Sequence, residues 1–152
     1  MADFSIDQSL GYLVAKTNLL MKSYFSRAIK QKSLDITPEQ WAVLYAVVKN
    51  PGISQTEIAR ISMKDKANAT HIIDALEKKG YIKRIIDHED RRVKVITPTS
   101  AGEEVLKRLI AIAKTMNAEF MQDLTATERQ SLIESLRKIS STLENILADL
   151  PG

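Results

Sequence analysis

The chain has 152 residues, of which 44% are hydrophobic, and its formal net charge is +3. That length suits one domain, or one domain with a dimerisation arm, and the apolar fraction is sufficient for a core. The sequence contains no cysteine, which excludes a disulfide framework, a thiol redox switch and a thiolate zinc site.

The first predicted element is a long N-terminal helix. Apolar residues keep helical spacing from Gln8 to about Ser33, and Asp7 is a candidate N-cap. A helix of about 26 residues spans roughly 39 Å. This length predicts that the helix extends beyond the core of the domain.

A second helix begins with several agreeing signals. Thr37 and Gln40 have the spacing of a capping box, Pro38 stands at the first helical position, and Asn50 ends the helix. Four apolar residues form its predicted inner face: Trp41, Leu44, Tyr45 and Val48. We expect Trp41, Tyr45 and the later Met63 to be core residues.

Two short helices follow and predict a helix-turn-helix. Ser54 and Glu57 have the spacing of a capping box for the first, which is about two turns long. Asp65 is the predicted N-cap of the second, which runs to Lys79. Gly80 then stands where a positive φ suits glycine.

The second of these helices has two different faces. Its buried stripe is predicted at helical spacing, at Ala69, Ile72, Ile73 and Leu76. The opposite face is small and polar, with Ala67, Thr70, His71, Asp74 and Lys78, flanked by Lys66 and Asn68. Such residues reach base edges and phosphates when a helix N-terminus enters a major groove. An ordinary solvated face is the alternative.

Two alternating β-branched segments predict a hairpin wing, over Tyr81 to Ile86 and Val93 to Thr97. The turn between them, Asp87 to Arg92, ends in paired arginines that suit a minor groove or phosphates. The candidate DNA contacts here are Arg91, Arg92 and Lys94. Asp90 can brace Arg92; alternatively, the acidic residues repel phosphates and the segment is an ordinary polar turn.

Two long helices are predicted after the wing. The first, capped by Thr99, runs from Ser100 to about Gln122, and the second, capped by Thr125, runs to about Asp149. Apolar residues of the second helix repeat as a heptad seam, at Leu132, Leu136, Ile139, Leu143 and Ile146. The seam either packs on the preceding helix or forms a two-fold interface. We expect a homodimer, because the long helices exceed what a winged-helix core covers.

Several segments together resemble one family. They are Thr37-x-x-Gln40, ISQTEIAR, ATHIIDALEKKGYIKR, DHEDRR and Thr99-x-x-Gly102. This set resembles the MarR family of winged-helix transcriptional regulators, and its most specific part is Asp90-x-Arg92 after the Leu-Glu-x-x-Gly stretch. The resemblance implies a homodimer on a pseudo-palindromic operator, released by a small ligand or an oxidant. The family often has arginine at the position of His71.

The expected fold is mainly α with a small β-hairpin wing, in the α+β class. Residues 35–98 would form a winged helix-turn-helix DNA-binding domain, and residues 1–34 and 99–152 would form a helical dimerisation region. Basic residues are concentrated in the predicted DNA-binding domain. Residues 54–98 hold ten Lys or Arg against seven Asp or Glu, whereas residues 99–152 hold six against eight.

These patterns predict a repressor that binds double-stranded DNA sequence-specifically as a homodimer. The helix capped by Asp65 is the predicted recognition helix, which enters the major groove. Its predicted base and phosphate contacts are Lys66, Asn68, Thr70 and His71. Ser54 and Gln55, at the positive end of the supporting helix, are predicted to contact phosphate. The resemblance also implies a small aromatic or phenolic effector, in a cleft whose lining residues the sequence does not identify.

Two other functions compete with this prediction. A protein-interaction module without DNA binding is favoured by acidic residues near the presumed DNA face, at Asp74, Asp87, Glu89 and Asp90. An enzyme is disfavoured, because His71 and His88 have no nucleophile or third metal ligand in recognisable register. We expect no cofactor and no metal. No apolar run reaches membrane-spanning length and no signal-peptide pattern is present, so we expect a cytoplasmic protein.

Overall fold

The computed structural model describes residues 5–86 and 94–150. A 3-10 turn at Ile6–Gln8 comes first. The other elements are α1 (Leu10–Gln31), α2 (Pro38–Lys49), β1 (Ile53–Ser54), α3 (Gln55–Ile61), α4 (Lys66–Lys78), β2 (Ile82–Ile86), β3 (Lys94–Pro98), α5 (Ser100–Phe120) and α6 (Ala126–Asp149). This order confirms a mainly helical winged-helix fold. The chain divides into two compact units, residues 1–113 and 114–152.

The start of α1 differs from the prediction. Asp7 lies inside the 3-10 turn, and the N-cap is Ser9, whose hydroxyl accepts from the N–H of Tyr12 at 3.3 Å. Both residues are good caps, and the 3-10 turn delays the first α-helical turn until after Ser9. The N-cap prediction at Asp7 is therefore wrong, whereas the long helix itself is present.

The helix α2 begins as predicted, and its predicted inner face is confirmed at Leu44 but not at Tyr45. Thr37 Oγ1 accepts from the N–H of Gln40 at 3.2 Å, and Gln40 Oε1 accepts from the N–H of Thr37 at 3.1 Å, so the capping box is complete. The buried residues are Val43, Leu44, Ala46 and Val47. Tyr45 is exposed and Trp41 only half-buried, so their expected core positions are wrong. The helix packs against α1, α3, α4 and β3, and the side that it buries contains Val43 and Val47 instead of Tyr45.

The sheet in the described part of the chain is antiparallel, with strand order β1-β3-β2. The strands β2 and β3 pair along their whole length, with Arg84 opposite Ile96. The strand β1 pairs Ile53 with Ile96 and was not predicted, because two residues are too few for an alternating pattern. Ile53, Ile82 and Ile96 are buried, so the sheet contributes one face to the core.

The helix α4 is central to the core of residues 1–113. Its predicted buried stripe is confirmed at Ala69, Ile73 and Leu76, whereas Ile72 is only half-buried. The helix packs against α2, α3 and β2. Because three elements hold the buried face, the orientation of the opposite face is also determined.

The helix α6 begins with the predicted capping box of Thr125 and Glu128. None of its residues is buried. The seam residues Leu132, Leu136, Leu143 and Ile146 are 41–52% exposed, and Ile139 is half-buried. Among the described residues, no helix combines the length and apolar character that crossing a membrane requires.

Candidate nucleic-acid interface

The short helix α3 supports the turn that leads into α4. Ser54 caps α3 as predicted, because its Oγ accepts from the N–H of Glu57 at 3.2 Å. The carboxylate of Glu57 binds the guanidinium of Arg60 instead of returning to Ser54, with contacts of 2.6 and 3.1 Å. This hydrogen bonding lowers the pKa of Glu57. The second half of the predicted capping box is therefore wrong.

Met63 lies in the turn between α3 and α4. Its φ is +52°, in the left-handed region, and the residue is 91% exposed. The expected core position of Met63 is therefore wrong. A residue at a reversal between two helices points away from both of them, and apolar character alone does not reveal this.

Asp65 caps α4 as predicted and organises its first turn. Its two carboxylate oxygens accept from the backbone N–H and the side-chain amide of Asn68, each at 2.9 Å. The hydrogen bond from the backbone N–H of Asn68, followed by that from its amide, lowers the pKa of Asp65. The orientation of Asn68, a predicted DNA contact, is thus set by the N-cap.

Replacing Asp65 by asparagine should change how stability depends on pH. The folded-state pKa lies below the ordinary value of 3.8, so the charged cap stabilises the protein above that value. This contribution is lost as the pH falls through the lowered pKa. Asparagine can still accept from the backbone N–H of Asn68 through its one amide oxygen, and it does not titrate, so the thermal midpoint should fall less between pH 7 and pH 3. Scanning calorimetry tests this, and equal falls in both proteins would contradict it.

Thr70 is the point at which α3 and α4 are hydrogen-bonded to each other. Its Oγ1 accepts from Nε2 of Gln55 and donates to the carbonyl oxygen of Lys66 at 2.8 Å. The hydroxyl of Thr70 therefore bonds within the protein. Gln55, a predicted phosphate contact, is tied to the recognition helix by the same bond.

The N-terminal half of α4 brings the predicted recognition residues together. Lys66, Asn68 and His71 are exposed, and Thr70 is half-buried beside them. The wing residues Asp90, Arg91 and Arg92 lie outside the described residues, and Lys94 is the first residue of β3. Within residues 5–86 and 94–150, no three His, Cys, Asp or Glu side chains are grouped to hold a metal ion.

A charged cluster that the sequence patterns did not reveal joins α4 to β2. The guanidinium of Arg84 binds Asp74 at 2.5 Å and also binds Glu77, and the backbone N–H of Arg84 donates to Glu77 at 3.1 Å. Burial alone would lower the pKa of Arg84, but the hydrogen bonds to both acids outweigh it and raise that pKa. Asp74, which favoured the protein-interaction alternative, is therefore paired. In the sequence, the only sign of this cluster was that Asp74 and Glu77 are three positions apart.

Comparison with known proteins identifies relatives of this chain. A family model described as the MarR family matches residues 36–94. The transcriptional regulator HosA of Escherichia coli O157:H7 is 30% identical over 108 residues, covering 71% of this chain and 80% of HosA.

Solved structures show the same fold. The S. aureus MepR–DNA complex matches with a TM-score of 0.78 and 26% identity, covering 91% of this chain and 99% of that one. A second match is the structure of BpsR from Bordetella bronchiseptica, whose DNA binding is regulated by 6-hydroxynicotinic acid. Its TM-score is 0.83 and its sequence identity is 21%. That match covers 91% of this chain and 98% of BpsR. With the capped α3–α4 pair, the hairpin and the sequence match to HosA, these findings place the chain in the MarR family of transcriptional regulators.

Proposed function

We propose that this protein binds a pseudo-palindromic operator in double-stranded DNA as a homodimer and represses transcription. The observation that carries the proposal is the exposed N-terminal half of α4, where Lys66, Asn68 and His71 stand opposite the side of the helix that buries Ala69, Ile73 and Leu76. Membership of the MarR family and the DNA complex of the related MepR support the same role.

In this proposal the N-terminal half of α4 enters the major groove. His71 reads a base edge, while Lys66 and Asn68 contact bases or phosphates beside it. Thr70 contributes mainly by position, because its hydroxyl already bonds to Gln55 and Lys66. We further propose that the supporting helix contacts phosphates through Ser54 and Gln55. The wing would contact the minor groove through Arg91, Arg92 and Lys94, and Asp90 would brace Arg92.

The homodimer is proposed because two long helices expose apolar stripes. The first half of α1 has Leu10, Leu13, Val14 and Leu20 at 46–60% exposure, and α6 exposes its heptad seam. Apolar faces of this extent mark interaction surfaces. Residues 35–98 then bind DNA, and residues 1–34 and 99–152 form the dimer. A two-fold axis would place the recognition helices about 34 Å apart, in successive major grooves.

We also propose that a small aromatic or phenolic ligand releases the dimer from its operator, which the family resemblance supports. Such a ligand acts only if it binds the DNA-competent and DNA-incompetent forms with different affinity. It would lower the apparent DNA affinity without occupying the surface of α4.

Selection from a library of random duplexes tests the DNA-binding proposal. We expect an inverted repeat with half-site centres about ten base pairs apart, and a steep loss of affinity as the salt concentration rises. His71→Ala should relax base preference at one position per half-site by about 1–3 kcal/mol, because one base contact is lost. Fluorescence anisotropy with the selected duplex and its single-base variants measures this change.

Lys78→Ala is the matched control for His71→Ala. Lys78 is exposed at the other end of α4, so its replacement should leave base preference unchanged. An unaltered preference in His71→Ala would remove that residue from base recognition. Recovery of no repeat at all would favour the protein-interaction module, and a protein partner would then be sought.

A further inference from the structure

Arg84 connects the recognition helix to the hairpin. Its side chain is 21% exposed, less than the acids it binds, which are 55% exposed at Asp74 and 38% at Glu77. Residues three apart lie on one face of a helix, so α4 presents two neighbouring carboxylates to β2. The backbone N–H of Arg84 also donates to Glu77 at 3.1 Å, so α4 holds both the main chain and the side chain of this strand residue.

The sheet extends the effect of this contact beyond β2. Arg84 pairs with Ile96 of β3, which is buried and pairs in turn with Ile53 of β1. A shift of Arg84 away from α4 would therefore displace β2 and β3 together. Arg84 and its two acidic partners therefore form a polar link between α4 and the strands of the hairpin.

We propose that Arg84 is a positioning residue for DNA binding, which holds the hairpin at its working angle to α4 through Asp74 and Glu77 and does not itself contact phosphate. The inference rests on the proposed function, because it assigns the hairpin and α4 to one DNA site. A phosphate contact would require the guanidinium to leave two carboxylates. Those carboxylates would then repel the same phosphate.

Two variants of the full-length protein test this role. Arg84→Met keeps an unbranched apolar stem and removes the charge, whereas Arg84→Glu combined with Glu77→Arg restores an opposite-charge pair at the same place. We expect roughly tenfold weaker binding of the selected duplex by Arg84→Met, the size of a typical coupling between paired residues. The slope of log affinity against log salt should stay unchanged. The exchanged pair should recover part of the loss, because it restores the ion pair but not the hydrogen bond that Glu77 accepts from the backbone N–H of residue 84.

Two outcomes of anisotropy and thermal unfolding measurements would overturn the proposal. If the slope of log affinity against log salt is shallower by about 0.9 in Arg84→Met, and the exchanged pair does not regain affinity, Arg84 contacts a phosphate. An unchanged Kd with a lower thermal midpoint would indicate that Arg84 contributes to stability alone.

Hydrogen exchange separates this inference from the proposed function. Without DNA, Arg84→Met should speed amide exchange in residues 82–86 several-fold, because local opening of the hairpin becomes easier. The buried half of α4 should stay slow. Unchanged exchange in residues 82–86 would overturn the inference alone. A wild-type protein that binds no duplex would instead overturn the proposed function, and with it the DNA-binding role of Arg84.

Discussion

Gly102→Ala should destabilise the protein by about 3 kcal/mol or more. Gly102 is buried in the first turn of α5, where an added Cβ would overlap the carbonyl oxygen of Tyr81 and lie 2.9 Å from its carbonyl carbon. The backbone of Tyr81 is held at both ends, since its oxygen accepts from Thr99 N–H and its N–H donates to Leu76, each at 3.0 Å. The clash therefore cannot be relieved by rotating a side chain. Urea denaturation measures the change in the free energy of unfolding.

Gly11→Ala provides the matched control for this substitution. Gly11 is exposed in α1, and an added Cβ there would meet no atom within 4 Å. Alanine should therefore stabilise the helix by about 0.5–1 kcal/mol, since it reduces the conformational entropy lost on folding. A similar loss of stability in both variants, or none in Gly102→Ala, would contradict the explanation based on the Tyr81 carbonyl.

Replacing both Leu136 and Leu143 by glutamate should convert the proposed homodimer to monomers. Both leucines are exposed on one stripe of α6, so the change costs little within a single chain. A dimer would have to bury the new carboxylates without partners, at a cost of several kcal/mol. We expect the association constant to fall by about 10³-fold or more, and operator affinity to fall with it, because a monomer holds one half-site. Sedimentation equilibrium and anisotropy measure the two effects.

Ser141→Glu is the control for added negative charge. Ser141 is exposed on the side of α6 away from the seam, so this variant should keep the association constant of the wild type. Circular dichroism should be the same for all three proteins. Retention of the dimer by the Leu136 and Leu143 double variant would show that the seam is not the interface.

Most element boundaries were predictable because they depend on a few consecutive residues. The caps at Thr37, Ser54, Asp65 and Thr125 each accept from an N–H three positions later, and sequence spacing is sufficient to identify them. The error at Asp7 has the same local origin. Two good cap residues stand two positions apart there, and spacing cannot rank them.

The candidate interface was predictable as a set of residues on α4, but the contacts that hold it were not. Gln55 and Thr70 are 15 positions apart, and Arg84 and Asp74 are ten apart. Such pairs form only when packing brings α3 and β2 against α4. No spacing rule links an arginine in a strand to acids in the preceding helix.

Spacing between neighbouring residues was thus sufficient for the caps at Thr37, Ser54, Asp65 and Thr125, for most of the buried stripe of α4 and for the two hairpin strands. The stripe and the strands follow from helical or strand periodicity within one element, and each cap follows from the residue types at its own position and three positions later. The resemblance to the MarR family rested instead on matching motifs from several elements. Three-dimensional packing was needed to show that α2 buries Val43 instead of Tyr45 and that Met63 is exposed. It was also needed to explain why position 102 is glycine, since that depends on the carbonyl of Tyr81, 21 residues earlier in the chain. Close packing between distant segments is a property of the assembled core, and no single segment encodes it.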